Sequence, residues 1–120
     1  MDKFALQTRT KKFAVRILKL VNHLPNAISG RALGKQIVRS GTSVGANYRA
    51  ACRARSKAEF TAKLGVVVEE ADETLYWLEL IVEASLLPGR RVSLLLREAD
   101  ELTAIFAAAR YTSSRRASRA

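Results

Sequence analysis

Two prolines, six glycines, one histidine and one cysteine are all that 120 residues hold of those types, and no acidic residue falls between Asp2 and Glu59. So little Pro and Gly argues against an all-β or disordered chain and for long helices. Cys52, being alone, closes no internal disulfide. There is no N-terminal apolar run with a cleavage pattern, and no stretch approaches the ~18 uninterrupted apolar residues that a membrane span needs. A cytoplasmic protein that makes no membrane contact is expected.

The same scarcity limits the chemistry. Helical bundles build di-metal centres from Glu-x-x-His pairs, and the one histidine, His23, falls at a helix end. Glu69, Glu70, Asp72 and Glu73 therefore have no imidazole to complete a metal site. Cys52 has Arg49 and Arg53 beside it but no histidine base on its helix, so it reads as a small half-buried residue. The segment from Gly30 to Lys35, GRALGK, is one residue too short between its glycines for a phosphate loop, and Gln36 replaces the hydroxyl that would hold Mg²⁺. No catalytic residue, metal or cofactor is expected, and the chain reads as a non-enzyme.

What the chain does have is positive charge, unevenly placed. Residues 1–57 carry thirteen Lys or Arg against Asp2 alone, a balance of +12, while residues 58–120 carry eight basic and ten acidic residues. A polyanionic partner meets a face and not an average, so the asymmetry says more than the net +10.

Apolar spacing predicts four helices in one domain. The first runs from about Thr8 to His23 and ends before Pro25. The second, capped by Ser29, runs from Gly30 to about Arg53 with a bend near Gly41 and Gly45, which also read as a close-packing notch. Ser56 and Glu59 form a capping box that opens a third helix reaching about Leu86. Pro88-Gly89 separates it from a fourth, Val92 to Arg110. Short connections make this an all-α, antiparallel, up-down-up-down four-helix bundle over residues 1–111. Residues 112–120, which offer nothing apolar larger than alanine, read as a disordered basic tail.

On an ideal wheel, Leu33, Ile37, Val44, Tyr48 and Ala51 of the second helix share the core face. Arg31, Lys35, Arg39, Arg49 and Arg53 share the opposite one. The first helix adds Arg9, Lys12, Arg16 and Lys19 beside its apolar face. These nine residues are the candidate nucleic-acid contacts. Asn47, at the edge of the core sector, is expected to hydrogen-bond between helices. The third helix has a core stripe from Phe60 to Val82 and also a second apolar face, with Val66, Trp77 and Leu80 around Glu73. A face of that kind predicts a homo-oligomer interface.

The run from Leu33 to Leu80 resembles the family of four-helix-bundle proteins related to those encoded in intervening sequences of bacterial 23S ribosomal RNA genes. The resemblance is carried by Ser43, Val44 and Asn47 (S-V-x-x-N), by Arg53 or Arg55 with Ser56, Glu59 and Phe60 (R-x-S-x-x-E-F), and by Glu73 in mid-helix. It implies an antiparallel bundle assembled as a ring-like homopentamer. Many members have proline where this chain has Gly45 and glutamate where it has Ala50, so the chain lacks whatever that acid contributes. It is also similar to the accessory variability determinant of diversity-generating retroelements, a basic bundle that binds nucleic acid and a reverse transcriptase. The expectation is an oligomeric module binding RNA or DNA through the basic faces of helices 1 and 2. The alternative is a protein-interaction scaffold or accessory subunit of a nucleic-acid enzyme.

Overall fold

The computed structural model of the chain describes residues 2–119, and side chains as far as Arg115. Those residues form four helices, α1 (Lys3–Val21), α2 (Ile28–Cys52), α3 (Lys57–Glu83) and α4 (Gly89–Arg119).

Local chemistry sets the helix ends. Asp2 caps α1, its carboxylate accepting from the Ala5 N–H at 2.8 Å. The helix therefore starts well before Thr8, where apolar spacing alone places it. Ser29 does not cap α2; Ala27 stands at the N-cap with no side-chain hydrogen bond. The entry to α2 depends instead on Gly30, where a Cβ would lie 2.0 Å from the Pro25 carbonyl oxygen. Only glycine lets the Pro25 turn fold back onto the helix. Ser56 caps α3 as its S-x-x-E pattern predicts, its hydroxyl accepting from the Glu59 N–H at 3.1 Å. That helix ends at Glu83, Ser85 takes a left-handed φ of 57°, and α4 begins right after Pro88.

Residues 112–119 depart from the expectation of a disordered tail. The helix expected to stop at Arg110 continues to Arg119, so residues from Thr112 onward belong to α4 and not to a disordered tail. Ser113 is buried and hydrogen-bonds the Thr61 hydroxyl on α3, so a polar pair holds the helix down where no large apolar residue is present. The Arg115 guanidinium lies 5.7 Å from the centre of the Tyr111 ring one turn earlier. Ala120 lies outside the described residues.

The helices pack antiparallel in sequence, and α1 closes the bundle against α4. Glycines set the α1–α2 approach: a Cβ on Gly41 would meet Ile17 at 3.0 Å, and one on Gly45 would meet Thr10 at 3.1 Å. The close-packing notch is thus real, and α2 runs through both glycines as one helix. The core comprises Phe13, Ile17, Ile37, Val44, Leu64, Leu78, Leu102 and Phe106 with their neighbours. Each side chain of this size is worth roughly 1.5–3 kcal/mol when fully buried. Tyr48 packs in it at 5.0 Å from Phe106, where burial and the Cys52 thiol push its phenol well above the ordinary value. Asn47 does not bridge helices; its amide donates to the Ser43 carbonyl at 2.9 Å and the Ser43 hydroxyl at 2.7 Å on its own helix. The buried interhelical polar contact of α2 is Ser40, 2.9 Å from Thr74 of α3. Helices α1 and α3 occupy opposite corners, with no close backbone approach between them among the described residues.

Candidate nucleic-acid interface

The nine predicted phosphate contacts do not make one face. Antiparallel packing turns one flank of α1 toward α4, and there Arg9 meets acids. Its Nε donates to Glu98 at 2.8 Å and its Nη2 to the other Glu98 oxygen at 2.7 Å, with Glu101 at 3.3 Å. This fork-to-fork pair raises the Arg9 pKa, and hydrogen bonding from Arg9 holds the Glu98 carboxyl below its ordinary range. Arg39 is likewise turned aside, bonded to Glu70 at 3.2 Å and to Glu73. Both arginines therefore clamp neighbouring helices and are engaged within the chain.

The other seven form no ion pair among the described residues. Arg31 donates to the Asn26 side chain at 3.0 Å, and Lys35 lies near it along a shallow groove beside Pro25 and Val38. Lys12 sits with Arg9 and Phe4 at the start of α1. Arg49 and Arg53 line a groove of about 470 Å³ between α1 and α2, together with Lys11. Thr10, Thr42, Gly45 and Ala46 line it too, small residues that let a ligand approach the backbone, and exposed Phe4 stands at its edge.

The densest cluster lies where α1 ends and α4 begins. Arg16, Lys19 and His23 of α1 face Arg90 and Arg91 of α4 across a cleft walled by Leu20, Leu94 and Leu95. No carboxylate lines it. The α4 N-terminus adds the positive end of its helix dipole, and the first turn of α4 has no acidic residue to offset it. Arg90, Arg91 and Lys11 were not among the sequence candidates. The signal for the two arginines, Arg-Arg just after Pro-Gly at a helix start, was legible, but only the α1–α4 packing places it opposite Arg16 and Lys19.

The predicted interface residues also divide. Val66 is exposed and Leu80 half-buried. Glu73 is spent in part on Arg39. Trp77 is half-buried against the core, and its indole N–H is buried without a partner among the described residues. No group of three or more His, Cys, Asp or Glu among the described residues is placed to hold a metal, and no helix of theirs is long and apolar enough to cross a membrane.

Residues 3–108 match the family model for 23S rRNA-intervening sequence proteins. A crystal structure of a protein of unknown function from the S23 ribosomal protein family of Bacteroides thetaiotaomicron is similar, with a TM-score of 0.84 at 34% identity. That likeness covers 92% of this chain and 99% of the other. No curated protein matches the chain.

Proposed function

Since the chain belongs to the 23S rRNA-intervening sequence protein family, we propose that it is a non-enzymatic, self-associating helical module that holds RNA or DNA by the phosphate backbone. The observation that supports this most is the α1–α4 cleft, in which Arg16, Lys19, Arg90 and Arg91 converge with no carboxylate among them. Glu98 interacts with Arg16 through its charge but does not line the cleft; clustered cations repel one another, and a chain of phosphates relieves that repulsion while releasing condensed counterions. Arg49 and Arg53 on α2 extend the same chemistry to the α1–α2 groove. No base-reading motif is visible among these residues, so the contacts position a polyanion and do not select its sequence.

A second reading has one observation in its favour. Leu94, 65% exposed, stands among the bases of the cleft, which suits an acidic protein segment with an apolar anchor.

Fluorescence anisotropy with labelled single-stranded RNA and duplex DNA over a range of salt separates the two. Nucleic-acid binding should fall steeply with salt. Replacing Arg16, Lys19, Arg90 and Arg91 together by glutamine should flatten log affinity against log salt by roughly 0.7–0.9 for each phosphate no longer neutralised. Arg39→Gln should leave the slope alone, since that arginine is engaged within the chain. A four-glutamine protein with unchanged affinity and slope would sink the phosphate reading and leave the protein-docking one.

A further inference from the structure

The family match ends at residue 108, and α4 continues to Arg119. At 1.5 Å per residue the stretch past the match makes about 16 Å of helix. It is strongly basic: the chain has no acid after Glu101, and residues 110–119 hold four arginines together with Tyr111. It is also pinned near its middle, where buried Ser113 shares a hydrogen bond with Thr61 of α3. At ~100° per residue, Tyr111 and Arg115 fall within about 20° of the direction opposite Ser113. The contact that holds the helix down therefore turns these two side chains outward, and Tyr111 is 64% exposed.

Two guanidinium groups flank that ring. A Cβ on Gly65 of α3 would meet Arg110 at Cζ 3.1 Å, Nε 3.2 Å and Nη2 3.3 Å away. The central carbon is the nearest of the three, so the planar group lies face-on against α3 and keeps the N–H groups around its rim unspent. Arg110 forms no hydrogen bond or ion pair among the described residues. The Arg115 guanidinium rests 5.7 Å from the centre of the Tyr111 ring and has no carboxylate either. The first two turns of α3, at the same end of the bundle, add Lys57 and Lys63 against Glu59, so the balance there stays positive. Two fork-shaped cations beside an exposed aromatic face fit an unpaired nucleotide, whose phosphates take the charge and whose base takes the ring. A duplex keeps its bases stacked on one another and offers such a site only phosphates. An acidic peptide would use the arginines and leave the ring idle.

We propose that the last turns of α4 form a stacking site for single-stranded nucleic acid, in which a base lies on Tyr111 while Arg110 and Arg115 hold the phosphates beside it. The proposal rests on the phosphate-binding function proposed above and adds a preference to it: the α1–α4 cleft accepts paired or unpaired strands, and this site favours unpaired ones. The two sites stand at opposite ends of α4. Arg91 and Tyr111 are 20 residues apart, which is about 30 Å along the helix. Substitutions in one should therefore act independently of the other.

Fluorescence anisotropy on three ligands of equal length tests the site: an unpaired oligonucleotide, its duplex, and an abasic strand that keeps the phosphates and lacks the bases. Tyr111→Ala should weaken binding to the unpaired strand roughly five- to tenfold, the lower end for base–aromatic stacking because the ring is exposed. The duplex and the abasic strand should bind as before, and Tyr111→Phe, which keeps a stacking ring, should bind all three like the original. The salt slope should not change in Tyr111→Ala, since no cation is lost. Arg110→Gln with Arg115→Gln should instead lower the slope on the unpaired strand by roughly 0.7 for each phosphate no longer neutralised. All three positions are exposed, so circular dichroism should show every variant as helical as the original. A Tyr111→Ala protein that binds the unpaired strand as tightly as the original, or that loses affinity equally for all three ligands, would overturn the stacking site and leave the cleft standing. An unmodified protein that binds none of the three would overturn both.

Discussion

The two ends of the α1–α4 edge are built from the same pair of helices and have opposite electrostatics. Near the start of α1, Arg9 is gripped by Glu98, whose side chain is only 15% exposed, and touched by Glu101. Near the end of α1, Arg16, Lys19 and His23 face Arg90 and Arg91 across a cleft that no carboxylate lines, Glu98 reaching Arg16 only through its charge. The first end is joined by an ion pair, and the second gathers like charges with no ion pair among the described residues. For stability alone, the first turn of α4 would carry an acid, which the helix dipole favours, and not two arginines, which it opposes. The contrast separates charge used to hold the fold from charge that the fold leaves without an ion pair.

The largest effect that can break this contrast is on stability. Arg9→Ala should cost about 1–2 kcal/mol in urea unfolding, the range for a charged hydrogen-bonded pair discounted for partial exposure. Arg16→Ala should stay within roughly 0.5 kcal/mol of the original, as a surface substitution does. Equal losses at the two sites would mean that the ends do not differ.

A smaller effect sharpens the same contrast by pH. The Glu98 carboxyl is held below its ordinary range by the hydrogen bond from Arg9. A group whose pKa is lowered by folding stabilises fully above its unfolded value and stops doing so as pH falls through its folded one. The stability gap between the original and Glu98→Gln should therefore be constant near neutrality and shrink on acidification below the ordinary carboxylate range. A gap that is flat down to the acid transition would show that the pair contributes nothing through ionisation.

These pairings also mark where the sequence stopped being legible. Helix number, order and antiparallel packing followed from apolar spacing and from local signals such as Ser56 with Glu59 and Pro88 with Gly89. The Gly41 and Gly45 notch followed from residue size. The α1 start was missed because Asp2 caps it without the glutamate that completes a capping box. The end of α4 was missed because Ser113 is held by a hydroxyl on another helix, which no local pattern announces. On the surface, a wheel cannot tell a hydrogen-bonded cation from an unpaired one: Arg9 and Arg16 sit on one stripe of α1, yet Glu98 hydrogen-bonds the first and acts on the second only through charge, with Arg90 and Arg91 across the cleft from it. Likewise Glu73, placed by the wheel on an interface, spends its charge on Arg39. Which charges remain free is decided by the helix across the groove, and that is tertiary information.

The smallest expected effect tests whether the crowded end is under strain at all. Arg91 lies in the first turn of α4, at the positive end of the helix dipole and across from Arg16 and Lys19. Arg91→Glu reverses the sign of that position and makes the second end resemble the first, with a carboxylate from α4 offered to basic residues of α1. The helix dipole and the new attraction act in the same direction, and at an exposed site their sum is on the order of 0.5 kcal/mol, or about 2 °C in melting temperature. The variant should therefore melt higher than the original at low salt, with the difference fading as salt screens it. Binding to nucleic acid should weaken in the same protein, because the cleft then holds one cation fewer and a carboxylate that competes with phosphate for the rest. A variant that melts lower at low salt would show that Arg90 and Arg91 do not repel α1, and the cleft would then be an ordinary solvated surface.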